Sequence, residues 1–180
     1  SIKNIVYNMK NTVKIYFAVL MASAMVSLSG CNSKGIPSDL KNKLDQYIGY
    51  WNTGQFDGIE EVVAEDFEMI ESPDYVPRGG INSFKKLIEN TRTTYPDFKL
   101  EINETVYEKD KIAFIWTVSG THKGSGEIAP TGRTIKGKGI SIVHFKDGKI
   151  QDEWLSNNNL QWLMQLGYTL VPPTADTPAE

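Results

Sequence analysis

The segment ISIVHFKDGKIQDEWLS, Ile140 to Ser156, contains two runs of β-forming residues joined at Asp147-Gly148. An Asp-Gly pair supplies the two positive-φ positions of a tight turn whose twist matches that of paired strands, so the segment reads as a hairpin. Along its second run Ile150, Asp152, Trp154 and Ser156 share one face by the period of two. On the N-terminal side, Lys109-Asp110 turns the chain into a further extended run, Lys111 to His122. Before that, Phe98, Leu100 and Ile102 alternate with Lys99, Glu101 and Asn103. The C-terminal part of the chain is therefore an antiparallel meander.

Upstream the period changes to that of a helix. Ser38 caps a predicted helix with Leu40, Leu44, Tyr47, Ile48 and Trp51 on one side and Gly54 at its end. A short helix with Ile59, Val62 and Val63 facing inward follows, then a short strand, Phe67 to Glu71, and a third helix, Ser83 to Thr91, with Phe84, Leu87 and Ile88 on its buried stripe. Past the meander, Leu160 to Leu166 reads as a short helix stopped by Gly167. Helices first and strands last define an α+β domain.

The first residues carry a different pattern. Lys10 and Lys14 precede the apolar run Ile15 to Val26, which is too short to span a bilayer, and Met9 is a plausible start. A basic stretch, a short apolar core and small residues form the layout of a cleaved secretory signal. Leu28-Ser29-Gly30-Cys31 resembles the lipobox of bacterial lipoproteins, in which the cysteine is lipidated; Cys31 is the only cysteine of the chain. The expected organisation is a signal peptide at 1–30, a tether at 31–37, one domain at 38–168 and a Pro-containing polar tail at 169–180. The expected address is the bacterial cell envelope, periplasmic or outer face, with the membrane reached through lipid on Cys31. Loss of three lysines and no acid on cleavage takes the net charge from -3 to -6. That balance excludes nucleic acid as a partner, since no Lys/Arg cluster is present to displace counterions from phosphates.

A series of short motifs is more specific than any of these patterns. Pro96-Asp97-Phe98, Trp116, Gly120-Thr121-His122-x-Gly124, Pro130-Thr131-Gly132-Arg133, Asp147-Gly148-Lys149-Ile150, Trp154 and Gln165-Leu166-Gly167 together resemble the SnoaL-like polyketide cyclase (ester cyclase) family. The resemblance runs from about Leu44 to Gly167. It implies the nuclear transport factor 2-like cone, in which a curved antiparallel sheet packs on N-terminal helices around a cavity. It also implies aldol ring closure by a general acid/base, with no metal and no cofactor. The family's acid/base is an aspartate four residues after the tryptophan; here that position is Asn158, and an amide exchanges no proton near neutral pH. Many relatives also carry a histidine where this chain has Ile70.

Two other groups are candidates for the lost role. If Ile150 and Trp154 look into the cavity, Asp152 looks in with them and burial would raise its pKa; the alternative is a rim carboxylate in water or paired with a lysine. His144 precedes Asn158 at a spacing similar to the histidine and aspartate pair of some cyclases. Its parity with Lys136 and Lys138 puts it outside unless Gly137 or Gly139 forms a bulge. Trp51, Glu71, Trp116, His122 and Trp154 are the candidate ligand contacts, set against core or solvent roles for each, and Arg133 could close over a ligand. Two histidines and one cysteine make no metal cluster of convincing spacing. The expected function is a lipid-anchored domain that binds a small apolar or carbonyl-containing molecule. The alternative is a cyclase or isomerase that uses Asp152 or His144, and a homodimer formed through the open sheet face is a further expectation.

Overall fold

The computed structural model describes residues 38–71, 78–126 and 128–172. Cys31, the leader at 1–30, the tether at 31–37 and most of the tail at 169–180 lie outside the described residues. Helix α1 (Ser38–Thr53) leads to a single turn, α2 (Ile59–Val62), and strand β1 (Val63–Glu71). After β2 (Arg78–Gly79) come α3 (Ile81–Thr94), the meander β3 (Lys99–Glu108), β4 (Lys111–Thr121), β5 (Thr134–Lys146) and β6 (Lys149–Asn157), and finally α4 (Asn159–Leu166). The sheet order is β2-β1-β6-β5-β4-β3. The expected α+β class holds, with one correction: β1 lies parallel to β6, so the sheet is mixed rather than wholly antiparallel. Val63, expected on a helix, opens β1, and α3 is longer at both ends than its periodic stripe indicated.

The sequence accounts for most of these elements. Leu44, Tyr47 and Tyr50 recur every three residues on α1 and are buried, which is the spacing of one helical face. Gly54, at φ 70°, closes that helix in the left-handed region, where glycine carries no steric penalty. Asp147 and Gly148, at φ 51° and 75°, form the turn between β5 and β6. On the inner face, Tyr47 stacks on Phe84 with ring centroids 5.0 Å apart, and Phe67 and Trp51 pack around the same ring. Asn52 covers the edge of β3: its Nδ2 donates to Leu100 O at 2.9 Å and its Oδ1 accepts from Leu100 N at 2.7 Å, in the manner of a neighbouring strand.

One irregularity decides where side chains point. Phe145 pairs with Ile150 and His144 with Asp152, so Gln151 is an extra residue in β6. The register of β6 with β1 also shifts there, Val63 matching Ile150 and Glu68 matching Asp152. A bulge of one residue turns every later side chain to the opposite face. Ile150 therefore faces inward, but beyond the bulge the inward set is Glu153, Leu155 and Asn157. Between β4 and β5 the register is continuous from Lys111–His144 to Thr121–Thr134, so neither Gly137 nor Gly139 forms a bulge.

Candidate functional site

Between the inner face of the sheet and helices α1, α3 and α4 lies a cavity of about 210 Å3. Trp51, Met69, Tyr95, Trp116, Leu155 and Trp162 form much of its apolar wall. The volume is below the roughly 300 Å3 at which pockets for drug-sized ligands begin, and above the roughly 150 Å3 of an apolar cavity that admits benzene. A molecule of one ring with a few substituents fits that space. A wider, open groove of about 450 Å3 lies across the shared residues Leu87, Thr91 and Tyr95, with His122 in its wall.

Of the polar side chains on the cavity wall, Glu71, Thr91, Glu153 and Asn157, only Glu153 is fully buried, 5% exposed on β6. Tyr47 Oη donates to its Oε2 at 2.5 Å. The Ser141 hydroxyl, reached across the sheet from β5, bonds the same carboxyl and accepts from Trp116 Nε1 at 2.8 Å. Burial pushes the Glu153 pKa up, and the two hydroxyls offset part of that rise. Burial, together with the facing carboxylate, raises Tyr47 well above the ordinary phenol range. Glu153 is thus a carboxylic acid in an apolar chamber, able to hold a proton at a pH where a surface glutamate has lost it.

The glycines of β5 make room for the cavity's indoles. A Cβ on Gly139 would come within 2.2 Å of the Trp116 ring, and one on Gly137 within 3.3 Å of the Trp162 ring. Trp162 lies on α4 and donates its Nε1–H to Tyr95 Oη at 2.9 Å. Asn157 and Asn159 donate to Glu71 Oε1 at 3.1 and 3.0 Å.

Several sequence candidates fall elsewhere. Asp152 and His144 both face outward and pair with each other, Oδ1 to Nδ1 at 2.6 Å, because the bulge at Gln151 reverses the parity that would have brought Asp152 in. Trp154 is on that outer face too, 42% exposed, opposite Ile142 on β5 and Ile70 on β1. Asn158 is the N-cap of α4: its Oδ1 accepts from Gln161 N at 2.9 Å. His122 is buried against Tyr95, with its Nδ1 accepting from Thr131 N at 3.2 Å, which leaves the proton of the neutral ring on Nε2. Arg133 packs by Gly167 at the C-cap of α4. Trp51, Glu71 and Trp116 do line the cavity.

Glu153, Ser141, Tyr95 and Trp162 were not singled out from the sequence, and Tyr47 was named there only on the buried side of its helix. Glu153 sits one position from the residue that strict alternation selects, and nothing in Lys149-Ile150-Gln151-Asp152 marks a bulge in the way a glycine would. Among the described residues, no group of three or more His, Cys, Asp or Glu side chains is placed to hold a metal ion. No helix among them is long and apolar enough to cross a membrane.

The motif residues now have physical roles. A Cβ on Gly120 would meet Tyr95 Cβ at 3.0 Å, and one on Gly124 would lie 1.6 Å from the Thr93 carbonyl oxygen. Asp97 accepts from Thr121 N and Thr121 Oγ1 at 2.6 and 2.7 Å, and those bonds hold its pKa below the ordinary carboxylate value. Together these contacts fasten the end of β4 to the end of α3 and fix Tyr95 beside the cavity.

Solved structures share this fold. A polyketide cyclase candidate from Bacillus cereus ATCC 10987 aligns at 28% identity and TM-score 0.60, over 72% of this chain and 80% of its own. A hydroxylase candidate from Streptomyces galilaeus aligns at 26% identity and TM-score 0.63, over 75% and 85%. A SnoaL-like polyketide cyclase candidate from Jannaschia sp. CCS1, at 14% identity and TM-score 0.67 over 80% and 100%, shares the fold. No curated protein sequence matches the chain. The sequence model of SnoaL-like polyketide cyclases matches residues 42–166, which contain α2 to α4, the whole sheet and the cavity, and on that match the chain belongs to the SnoaL-like polyketide cyclase family.

Proposed function

We propose that this domain catalyses proton transfer at a carbon next to a carbonyl in a small, mostly apolar molecule, as in an isomerisation or an intramolecular aldol closure, with Glu153 as the acid/base. The observation that carries the reading is the buried, pKa-raised carboxyl of Glu153 in a cavity walled by aromatic side chains. A pure binding pocket has no need of a buried ionisable group, whose desolvation costs stability. In the forward step the Glu153 carboxylate takes the proton from carbon, the C–H electron pair becomes the enolate double bond, and the carbonyl π pair moves onto oxygen. Return of the proton at another position, or attack of the enolate carbon on a second carbonyl, completes the reaction. Exchange of α-hydrogens for deuterium in small cyclic and aryl ketones, followed by NMR in heavy water, tests this without knowledge of the natural substrate. Catalysed exchange that is lost in Glu153→Gln is the expected result; equal exchange in both proteins refutes the assignment.

Lipid attachment at Cys31 and residence in the cell envelope complete the proposal, supported by the apolar run and Leu28-Ser29-Gly30-Cys31. Metabolic labelling with a fatty acid should mark the protein, and Cys31→Ser should abolish the mark. A second feature supports pairing of two copies. Val106, Ile115, Ile140, Ile142 and Trp154 are each at least 38% exposed on the outer sheet face, and Ile115 pairs with Ile140, as Ile142 does with Trp154. A contiguous apolar row is self-complementary about a two-fold axis, so sedimentation should report a dimer and Ile140→Glu a monomer.

A further inference from the structure

A count of the hydrogen-bond donors on the cavity wall leaves one uncommitted hydroxyl. Thr91 Oγ1 donates to Leu87 O at 2.8 Å, Trp116 Nε1 to Ser141 Oγ at 2.8 Å and Asn157 Nδ2 to Glu71 Oε1 at 3.1 Å. The Trp51 indole bonds the Tyr47 hydroxyl, and Tyr47 in turn donates to Glu153. Trp162 Nε1 donates to Tyr95 Oη at 2.9 Å. Tyr95 is different: its oxygen accepts that bond, and its own proton has no acceptor among the described residues. Tyr95 is buried as a residue and lines both the cavity and the adjoining groove, so its hydroxyl is open to a ligand in that space.

We propose that Tyr95 receives the carbonyl oxygen of the ligand, its O–H donating to that oxygen as negative charge develops there while Glu153 moves the proton on carbon. The inference rests on the acid/base reading of Glu153 for its chemistry, but on the donor count for its geometry. The proton of Tyr95 stays on the phenol throughout; only the hydrogen bond shortens and strengthens as the carbonyl becomes an enolate. Donation from the Trp162 indole polarises the phenol and makes it a better donor. The ring cannot swing away: it meets the Trp162 ring edge-on with centroids 5.5 Å apart, lies 5.4 Å from the His122 ring, and is backed by Gly120, where a methyl group would collide. A donor fixed before the reaction needs no reorganisation when charge appears. The substrate class follows: a carbonyl compound of one ring's size whose oxygen can reach Tyr95, in preference to hydrocarbons of equal shape.

The probe is 4-nitrophenol, whose conjugate base is a flat, delocalised oxyanion like an enolate, with 4-nitrotoluene as a control of similar shape that lacks the oxygen. In the full-length protein Tyr95→Phe should weaken nitrophenolate binding by about tenfold to a hundredfold and leave 4-nitrotoluene binding within about threefold. Equal loss of both probes would mean that the substitution deformed the cavity, and unchanged nitrophenolate binding would mean that Tyr95 is no donor; either overturns the proposal. In the ketone exchange assay Tyr95→Phe should lower kcat with little change in KM, whereas an effect on KM alone contradicts a role in the transition state. If Glu153→Gln retains exchange while Tyr95→Phe loses nitrophenolate affinity, the acid/base reading fails and the oxygen site stands.

Discussion

Asp152 and Glu153 are neighbours on one strand, and the two faces of the sheet give them opposite fates. On the outer face Asp152 meets His144 at 2.6 Å, with side chains 24% and 42% exposed, where solvent competes for both partners. On the inner face Glu153 is enclosed among aromatic rings, with hydroxyls as its hydrogen-bond partners. Composition is similar and chemistry is not. Alternation puts them on opposite faces, one extra residue, Gln151, decides which of the two turns inward, and the lesson is that facing, more than residue type, decides which carboxyl can do proton chemistry.

The sharpest way to break that comparison is to neutralise each acid in turn. Glu153→Gln should reduce ketone exchange by at least about a hundredfold, the usual scale for loss of a general acid or base, while Asp152→Asn stays within about twofold of wild type. An exchange rate that follows Asp152 instead would mean that the outer face carries the reaction.

Space on the two faces differs as well. The inward Gly139 has no room for a side chain, since its Cβ would fall 2.2 Å from Trp116, whereas its neighbour Ile140 points outward and is 48% exposed. Gly139→Ala should destabilise by about 1–3 kcal/mol through overpacking, and Lys138→Thr, exposed on the outer face opposite Thr117, should stay within about 0.5 kcal/mol; urea denaturation measures both.

Acid titration separates the buried carboxyl from an exposed one in the loop between α3 and β3. Because burial raises the folded-state pKa of Glu153, its contribution is most favourable below the unfolded-state pKa. As pH climbs, the unfolded chain releases this proton first and stability declines until the folded group has ionised too. Asp97 works the other way: its hydrogen bonds to Thr121 lower its pKa, so their stabilisation is present above the unfolded value and fades as pH falls through the folded one. Glu153→Gln should therefore gain thermal stability relative to wild type as the pH is raised from acid to neutral. A Tm difference that stays flat over that interval would show that Glu153 is not strained by ionisation.

Most of the fold was legible because its signals are local. The Asp147-Gly148 turn, the helical spacing that put Leu44 and Tyr47 on the buried side of α1, and the glycine stop at Gly54 each follow from short-range signals, although Tyr50, buried on that side too, was not read from the sequence. Trp51, Glu71 and Trp116 were named from the sequence as candidate ligand contacts set against core or solvent roles, and all three line the cavity. The bulge was not, since Gln151 carries no steric signature and the inserted residue is set by how β6 meets both β1 and β5. Once it is missed, alternation selects Asp152, Trp154 and Ser156 in place of Glu153, Leu155 and Asn157. Nor does a sequence disclose that Tyr95 has a spare proton, which depends on every neighbouring donor being placed first.

The smallest effect concerns Asn158, the position at which the resemblance to the family implies an aspartate. Its Oδ1 takes the Gln161 N–H at the start of α4, one of the helix's otherwise unpaired donors. Asn158→Ala should cost about 1 kcal/mol, the ordinary loss for an N-cap. Asn158→Asp keeps an acceptor there and adds a negative charge where the helix dipole welcomes it, so stability should hold or rise by a few tenths of a kcal/mol. If the side chain remains in the cap, the restored carboxylate adds nothing to ketone exchange. A clear gain in exchange would instead mean that position 158 turns into the cavity when it carries a carboxylate, and the division of labour between the two faces would have to include the strand's end.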